Sequence, residues 1–329
     1  MGRRWRLHRR RRDRQRHAAA ILARPARIAG IEDREANDAG IRIGPRIYTN
    51  GPLLEWQRVY YKMGVAVAGP AHLERELERG RLLKYDLVKS YVRMPDLYQR
   101  RIVEAAHAMG VPVTGHEIFP AAYTGVDATE HLGATSRRGY SPKQGPQGRA
   151  YEDVVQLFGQ SQRYLTPTNF GALIRYLDKN QAYRTDPRLA LYPQWAQKSV
   201  LSDTQGMAAL VRPLVQGSLD ALKAMYDAGT KITAGTDTTI AINLHAEIAS
   251  YVEAGLTPFQ ALQAATKTSA EELNLDAGTL EVGKLADITL LAGDPRENIA
   301  NTFNVKTVIA NGRAYTVEQL IAMAGKPSS

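Results

Sequence analysis

The chain has 329 residues, 44% of them hydrophobic and 23% charged, which is enough to bury a large core in one big domain or two smaller ones. It contains no cysteine, which excludes disulfides, thiolate nucleophiles and cysteine-ligated zinc, and no apolar run long enough to cross a membrane. Its formal charge is +10, of which residues 1–16, MGRRWRLHRRRRDRQR, supply +8 from nine Arg and one Asp, so the rest of the chain is close to balanced.

In chain order, residues 1–30 read as an Arg-rich leader, either a disordered solvated tail or sequence foreign to the folded protein. It lacks the apolar core of a signal peptide. An Arg block binds nucleic acid or an anionic surface by counterion release, but Trp5 is the only aromatic among residues 1–16 and no binding module is recognisable. Specific nucleic-acid recognition is therefore not expected, and an Arg-tail binder is kept as an alternative.

From Gly40 onward, short β-branched or apolar runs alternate with longer amphipathic segments, the pattern of βα units. The expected strands are IRIGPRIYTNG (41–51), YDLVKSYV (85–92), VPVTGHEI (111–118), GVDATEHL (125–132), RYLTPTNF (163–170) and TKITAGTD (230–237). Between them, DLYQRRIVEAAHAMG (96–110) has helical spacing at Leu97, Ile102, Val103, Ala106 and Met109 and stops at Gly110. SLDALKAMYDAG likewise ends on Gly229. Residues 137–150, rich in Gly, Pro and Arg, are expected as a mobile loop at the mouth of the fold, and 171–200 as a helical wall or lid carrying Trp195.

Parallel strands joined by helices form an open doubly wound sheet or a closed (β/α)₈ barrel. The chemistry-bearing residues sit late in their strands: Lys89, His116 and His131 in successive strands, and Asp237 closing the last. In a barrel all four converge on one mouth. Two imidazoles and a carboxylate are metal-ligand types, and a lysine joins them if carbon dioxide converts its amine to a carbamate.

The motifs DLVKSY, TGHEI, GVDATEHLG and ITAGTDT, followed by LHAEIASYVEAGLTPFQALQAATKTSAEELNL, AGTLEVGKLADITLLAGDPRENI and VKTVIANGRAY, resemble the amidohydrolase superfamily, close to its imidazolonepropionase-like and dipeptidase-like branch. The resemblance spans about residues 40–316. It implies a (β/α)₈ TIM-type barrel over 40–275, represented here by strands three to eight, with a remnant small β-subdomain and tail over 276–329. It also implies roles: carbamylated Lys89, His116, His131 and Asp237 hold one or two divalent ions, zinc first among them. Asp237 moves the proton, and water is the second substrate.

The same resemblance calls for an H-x-H pair that the sequence lacks, since His8 and His17 lie in the leader without that spacing. The chain thus reads as an N-terminally truncated hydrolase of non-peptide amides, cyclic amides or dipeptides. A catalytically impaired fragment needing a partner chain is the alternative.

Tyr91 and Arg93, just past Lys89, are placed to grip a substrate carboxylate, and His245 to line the pocket. His72 and His107 read as surface residues. A homo-oligomer is compatible with these features. The compartment is cytoplasmic as the sequence is written, unless an export signal has been lost.

Overall fold

The computed structural model describes residues 29–132, 144–145, 149–169, 172–201, 206–238 and 240–324. Helix α1 (Ala29–Asp38) precedes strands β1 (Leu53–Trp56) and β2 (Gly64–Val67), helix α2 (Pro70–Leu82), β3 (Val88–Lys89), α3 (Asp96–Ala108), β4 (Val113–Gly115) and the short α4 (Ala121–Thr124). Then come β5 (Ala128–Glu130), α5 (Glu152–Ser161), β6 (Tyr164–Thr166), α6 (Ala172–Lys179), α7 (Gln194–Val200), α8 (Met207–Asp227) and β7 (Lys231–Ile232). Helices α9 (Ile242–Glu253), α10 (Pro258–Ala265) and α11 (Lys267–Glu272) follow. The chain closes with β8 (Ile288–Leu291), β9 (Val305–Ala310), β10 (Arg313–Thr316) and α12 (Val317–Ala324).

Strands β3 to β7 form one parallel sheet in sequence order. Helical segments fill the connections, as parallel pairing requires. The β1–β2 pair is also parallel and meets this sheet through a bridge between Leu54 and Ser90, so the array runs β2, β1, then β3 to β7. Among the described residues it does not close into a barrel. The chain is therefore an α/β fold built on a parallel sheet.

Five of the six expected strands are present, each shorter than its apolar run. The exception is 41–51, which is irregular and gives way to β1 at 53–56. Pro45 has no N–H to give a ladder, Gly51 turns the chain at φ 61°, and side chains take over the pairing. The Asn37 amide donates to the Pro45 carbonyl, Arg46 pairs with Asp287, and the Thr49 N–H donates to Asp86 (2.8 Å). Ile41 and Ile43 are left exposed. Strand β2 is an addition to the expected set, and residues 57–63 link it to its parallel neighbour over an unusually short path.

The core has two main parts flanking the sheet. Leu54, Val67, Leu73, Val88, Met94, Ile102, Val103 and Val113 pack α2 and α3 onto β1 to β4. Phe158, Leu165, Leu222, Met225, Ile232 and Tyr251 pack α5, α8 and α9 behind β6 and β7. On α3 the expected face holds at Ile102, Val103 and Ala106, but Leu97 is exposed and Gln99 is buried instead. Gln99 donates to Ser90 Oγ (3.1 Å) and accepts from Thr124 Oγ1 (2.6 Å), so its amide is satisfied inside.

The 171–200 region forms α6, two 3₁₀ turns and α7, packed through Tyr176, Leu177, Tyr183 and Val200 against Ile240, Ile242 and Ala246. It is a wall, and Trp195 lies half exposed on it. Beyond α11, β8 to β10 make a three-stranded antiparallel sheet in the order β10-β9-β8, with a bulge at Leu290/Leu291. Most of the expected loop 137–150, and all of 1–28, lie outside the described residues; Gln144 and Ala150 form an antiparallel bridge. No helix among the described residues is long and apolar enough to span a membrane.

Candidate metal centre

Lys89 is the last residue of β3, His116 follows β4 by one position, Glu130 ends β5 and His131 follows it. Parallel pairing in register puts these strand ends side by side. The Lys89 side chain is buried, and that burial lowers its pKa to about 7, with the charges of Asp237 and Glu272 opposing the shift. Its Nζ pairs with Glu130 Oε2. The same oxygen lies 3.3 Å from His116 Nε2, and Glu130 Oε1 accepts from Thr114 Oγ1 at 2.8 Å.

The His116 and His131 rings meet edge to face at 4.6 Å, and the Tyr91 ring backs His116 at 4.7 Å. One ligand atom from each of His116, Glu130 and His131 falls within 4.8 Å of the others.

His131 has φ 63°, and its N–H donates to the Thr166 carbonyl (2.8 Å) at the end of β6. Its Nδ1 lies 2.5 Å from Thr168 Oγ1, and its Nε2 faces Asp237 Oδ2 at 3.9 Å. Asp237, on the loop after β7, has φ 50° and a side chain 76% exposed; partial burial raises its pKa, with the Lys89 charge opposing. Thr168, at φ 49°, is a third non-glycine residue in the left-handed region. Such conformations cost energy, most for a β-branched residue, and three of them border one cluster.

Lys89, His116, His131 and Asp237 are thus gathered at the carboxyl ends of the strands, with Tyr91 buried against His116. Arg93 and His245 have other engagements. Arg93 Nη1 pairs with the buried Glu55 (2.9 Å), whose second oxygen accepts from the Tyr60 N–H, so Arg93 braces the β1–β2 connection. His245 Nδ1 lies 3.2 Å from Thr302 Oγ1 and its ring abuts Phe303. Burial, helped by the Arg188 charge, lowers the His245 pKa to about 4.

On the surface, His72 Nδ1 accepts from the Ala68 N–H and His107 pairs with Asp127. Glu130, Thr168 and Glu272 are the residues a reading for ligand types passes over. Glu130 sits inside the motif ATEHLG beside the more conspicuous His131. Glu272, whose pKa burial raises to about 7 against a Thr233 hydrogen bond and the Lys89 charge, has no local signal at all.

Two imidazole nitrogens and a carboxylate oxygen converging from neighbouring strands are a donor set that suits a divalent ion of the zinc type. Burial favours the neutral form of the Lys89 amine, the form that reacts with carbon dioxide.

A parallel α/β sheet with imidazoles, carboxylates and a lysine on the carboxyl rim has the make-up of an enzyme site. The sequence matches the amidohydrolase family over residues 90–315, and the chain belongs to that family, whose enzymes act on carbon–nitrogen bonds. Among solved structures it is similar to a Xaa-Pro dipeptidase with methionine in its active site, at 22% identity and TM-score 0.63 over 88% of this chain and 73% of that one. It is also similar to the bottromycin amidohydrolase, at 17% identity and TM-score 0.65 over 90% of this chain and 72% of that one. The A. niger ochratoxinase aligns at 18% identity and TM-score 0.63, over 88% and 70% respectively. These likenesses concern the fold. No curated protein matches this sequence.

Proposed function

We propose that this protein is a metal-dependent hydrolase of small amides or dipeptides, with residues 40–275 as an incomplete (β/α)₈ catalytic unit and 276–329 as an accessory β-subdomain. The observation that carries the reading is the convergence of Lys89, His116, Glu130, His131 and Asp237 on one rim of the parallel sheet. His116, His131 and Glu130 would hold a divalent ion, zinc first, with Lys89 joining them as a carbamate. When bound, such an ion supplies Lewis acidity toward a carbonyl oxygen and makes water more acidic.

The chain's own groups do the rest. Conversion of the Lys89 amine to a carbamate would add a second anion beside Glu130, a charge that a divalent ion held by these residues would offset. Asp237 takes a proton from the attacking water and returns it to the leaving nitrogen, and its exposure gives both partners access. Tyr91 fixes the His116 ring from behind, while Arg93 and His245 shape the surroundings through Glu55 and Thr302.

The test is a panel of dipeptides, N-acyl amino acids and cyclic amides assayed with and without added zinc and bicarbonate. Zinc-dependent release of amine, abolished in both His131→Ala and Asp237→Asn, supports the reading. Turnover that survives both substitutions contradicts it.

A second reading has its own support. The parallel array ends at β2 on one side and β7 on the other among the described residues, and unpaired edges of this kind invite strand addition. A second copy or partner chain would complete the sheet. Activity that falls on dilution in parallel with the mass measured by light scattering would favour it.

A further inference from the structure

Glu247 on α9 is buried at 3% exposure. Both its carboxylate oxygens accept from the Asn169 N–H, at 3.0 and 2.9 Å. That contact ties the residue after Thr168, which itself sits at φ 49°, to α9. The Asn169 side chain donates to Ser250 Oγ (2.6 Å), tying the same turn to α9 a second time. Residues 166–167 in turn accept from the backbone of His131 and Leu132, so the Thr168 turn and His131 are fixed to one another.

The hydroxyl of Thr168 has one proton. It donates that proton to the Pro167 carbonyl at 2.8 Å, a partner that can only accept. Toward His131 Nδ1, at 2.5 Å, the oxygen is therefore an acceptor, and Nδ1 carries the hydrogen. The ring nitrogen that then carries no hydrogen is Nε2, the one that faces Asp237 at 3.9 Å.

We propose that Glu247 and Thr168 are positioning residues that lock His131 as its Nδ1–H tautomer, with Nε2 presented to a divalent cation. The cation rests on the function proposed above; the tautomer does not.

The test uses metal-free protein labelled with ¹⁵N-histidine, the His131 signals being identified by their loss in His131→Gln. Long-range ¹H–¹⁵N correlations read the tautomer directly. The wild type is expected as Nδ1–H. Thr168→Val keeps the shape and removes the hydroxyl, and it should move more than half of His131 to Nε2–H. Glu247→Gln should shift it in the same direction, with Glu247→Asp taking its place if the amide variant does not fold. Thr168→Ser should restore the wild-type tautomer.

Zinc titration of the same samples should show binding weakened about 10- to 100-fold in Thr168→Val and Glu247→Gln. An Nε2–H tautomer in the wild type, or unchanged tautomers in both folded variants, would overturn the inference. A wild type that is Nδ1–H yet binds no zinc would instead count against the proposed function and leave the positioning intact.

Discussion

Lys89 sets the charge of the site. As an ammonium it pairs with Glu130, and under the proposed function a carbamate there would add a second anion to the cluster. Burial, which lowers the Lys89 pKa, favours the neutral amine from which a carbamate forms. Asp237→Asn keeps the shape and removes the proposed base, so kcat/KM for amide hydrolysis should fall by about 10²–10⁴, as activity assays will show. His245 gives a stability prediction of defined sign. Its pKa is about 4 in the fold against an ordinary 6.5, so its contribution is present above pH 6.5 and is lost as pH falls toward 4, where the unfolded chain takes up the proton first. Wild type should therefore lose on the order of 1–2 kcal/mol relative to His245→Gln between pH 6.5 and 4, measured by urea unfolding at several pH values.

Helices α5 and α8 meet at Gly159, where an added Cβ would stand 2.2 Å from the Ala228 carbonyl oxygen. Gly159→Ala must push the two helices apart and should cost about 1–3 kcal/mol, lowering Tm by several degrees. A smaller effect belongs to α10, whose Thr257 and Gln260 form a reciprocal cap. Thr257→Ala should cost about 1 kcal/mol in denaturant unfolding. Elements of this kind differ in how plainly they are written. Strands β3 to β7 are legible because each is a short apolar run between polar turns and helical spacing. The stretch 41–51 misleads because its Ile and Tyr alternation resembles a strand while Pro45 and the partners of Arg46 and Thr49 deny it a ladder. Gln99 likewise reads as surface until Ser90 and Thr124 satisfy it inside. His116, His131, Lys89 and Asp237 are legible by residue type and strand position. Glu130, Thr168 and Glu247 are not, since their roles come from contacts across strands and from α9 rather than from spacing.

At the scale of the molecule, five strand ends and the turns after them meet on one rim, and the family match covers all of them except Lys89, which it misses by one position. The convergence is what makes a site. Removing divalent ions should therefore silence the whole rim at once. Activity should vanish on treatment with a strong chelator and return with zinc, while Tm falls because the bound ion stabilises only the folded state. The most direct measurement is the metal content of the purified protein by inductively coupled plasma mass spectrometry, beside His116→Ala and His131→Ala prepared in the same way. The account predicts at least about one equivalent of a divalent metal in the wild type and a near-complete loss in each variant. A metal-free wild type after growth with added zinc, or equal metal in all three proteins, would contradict it.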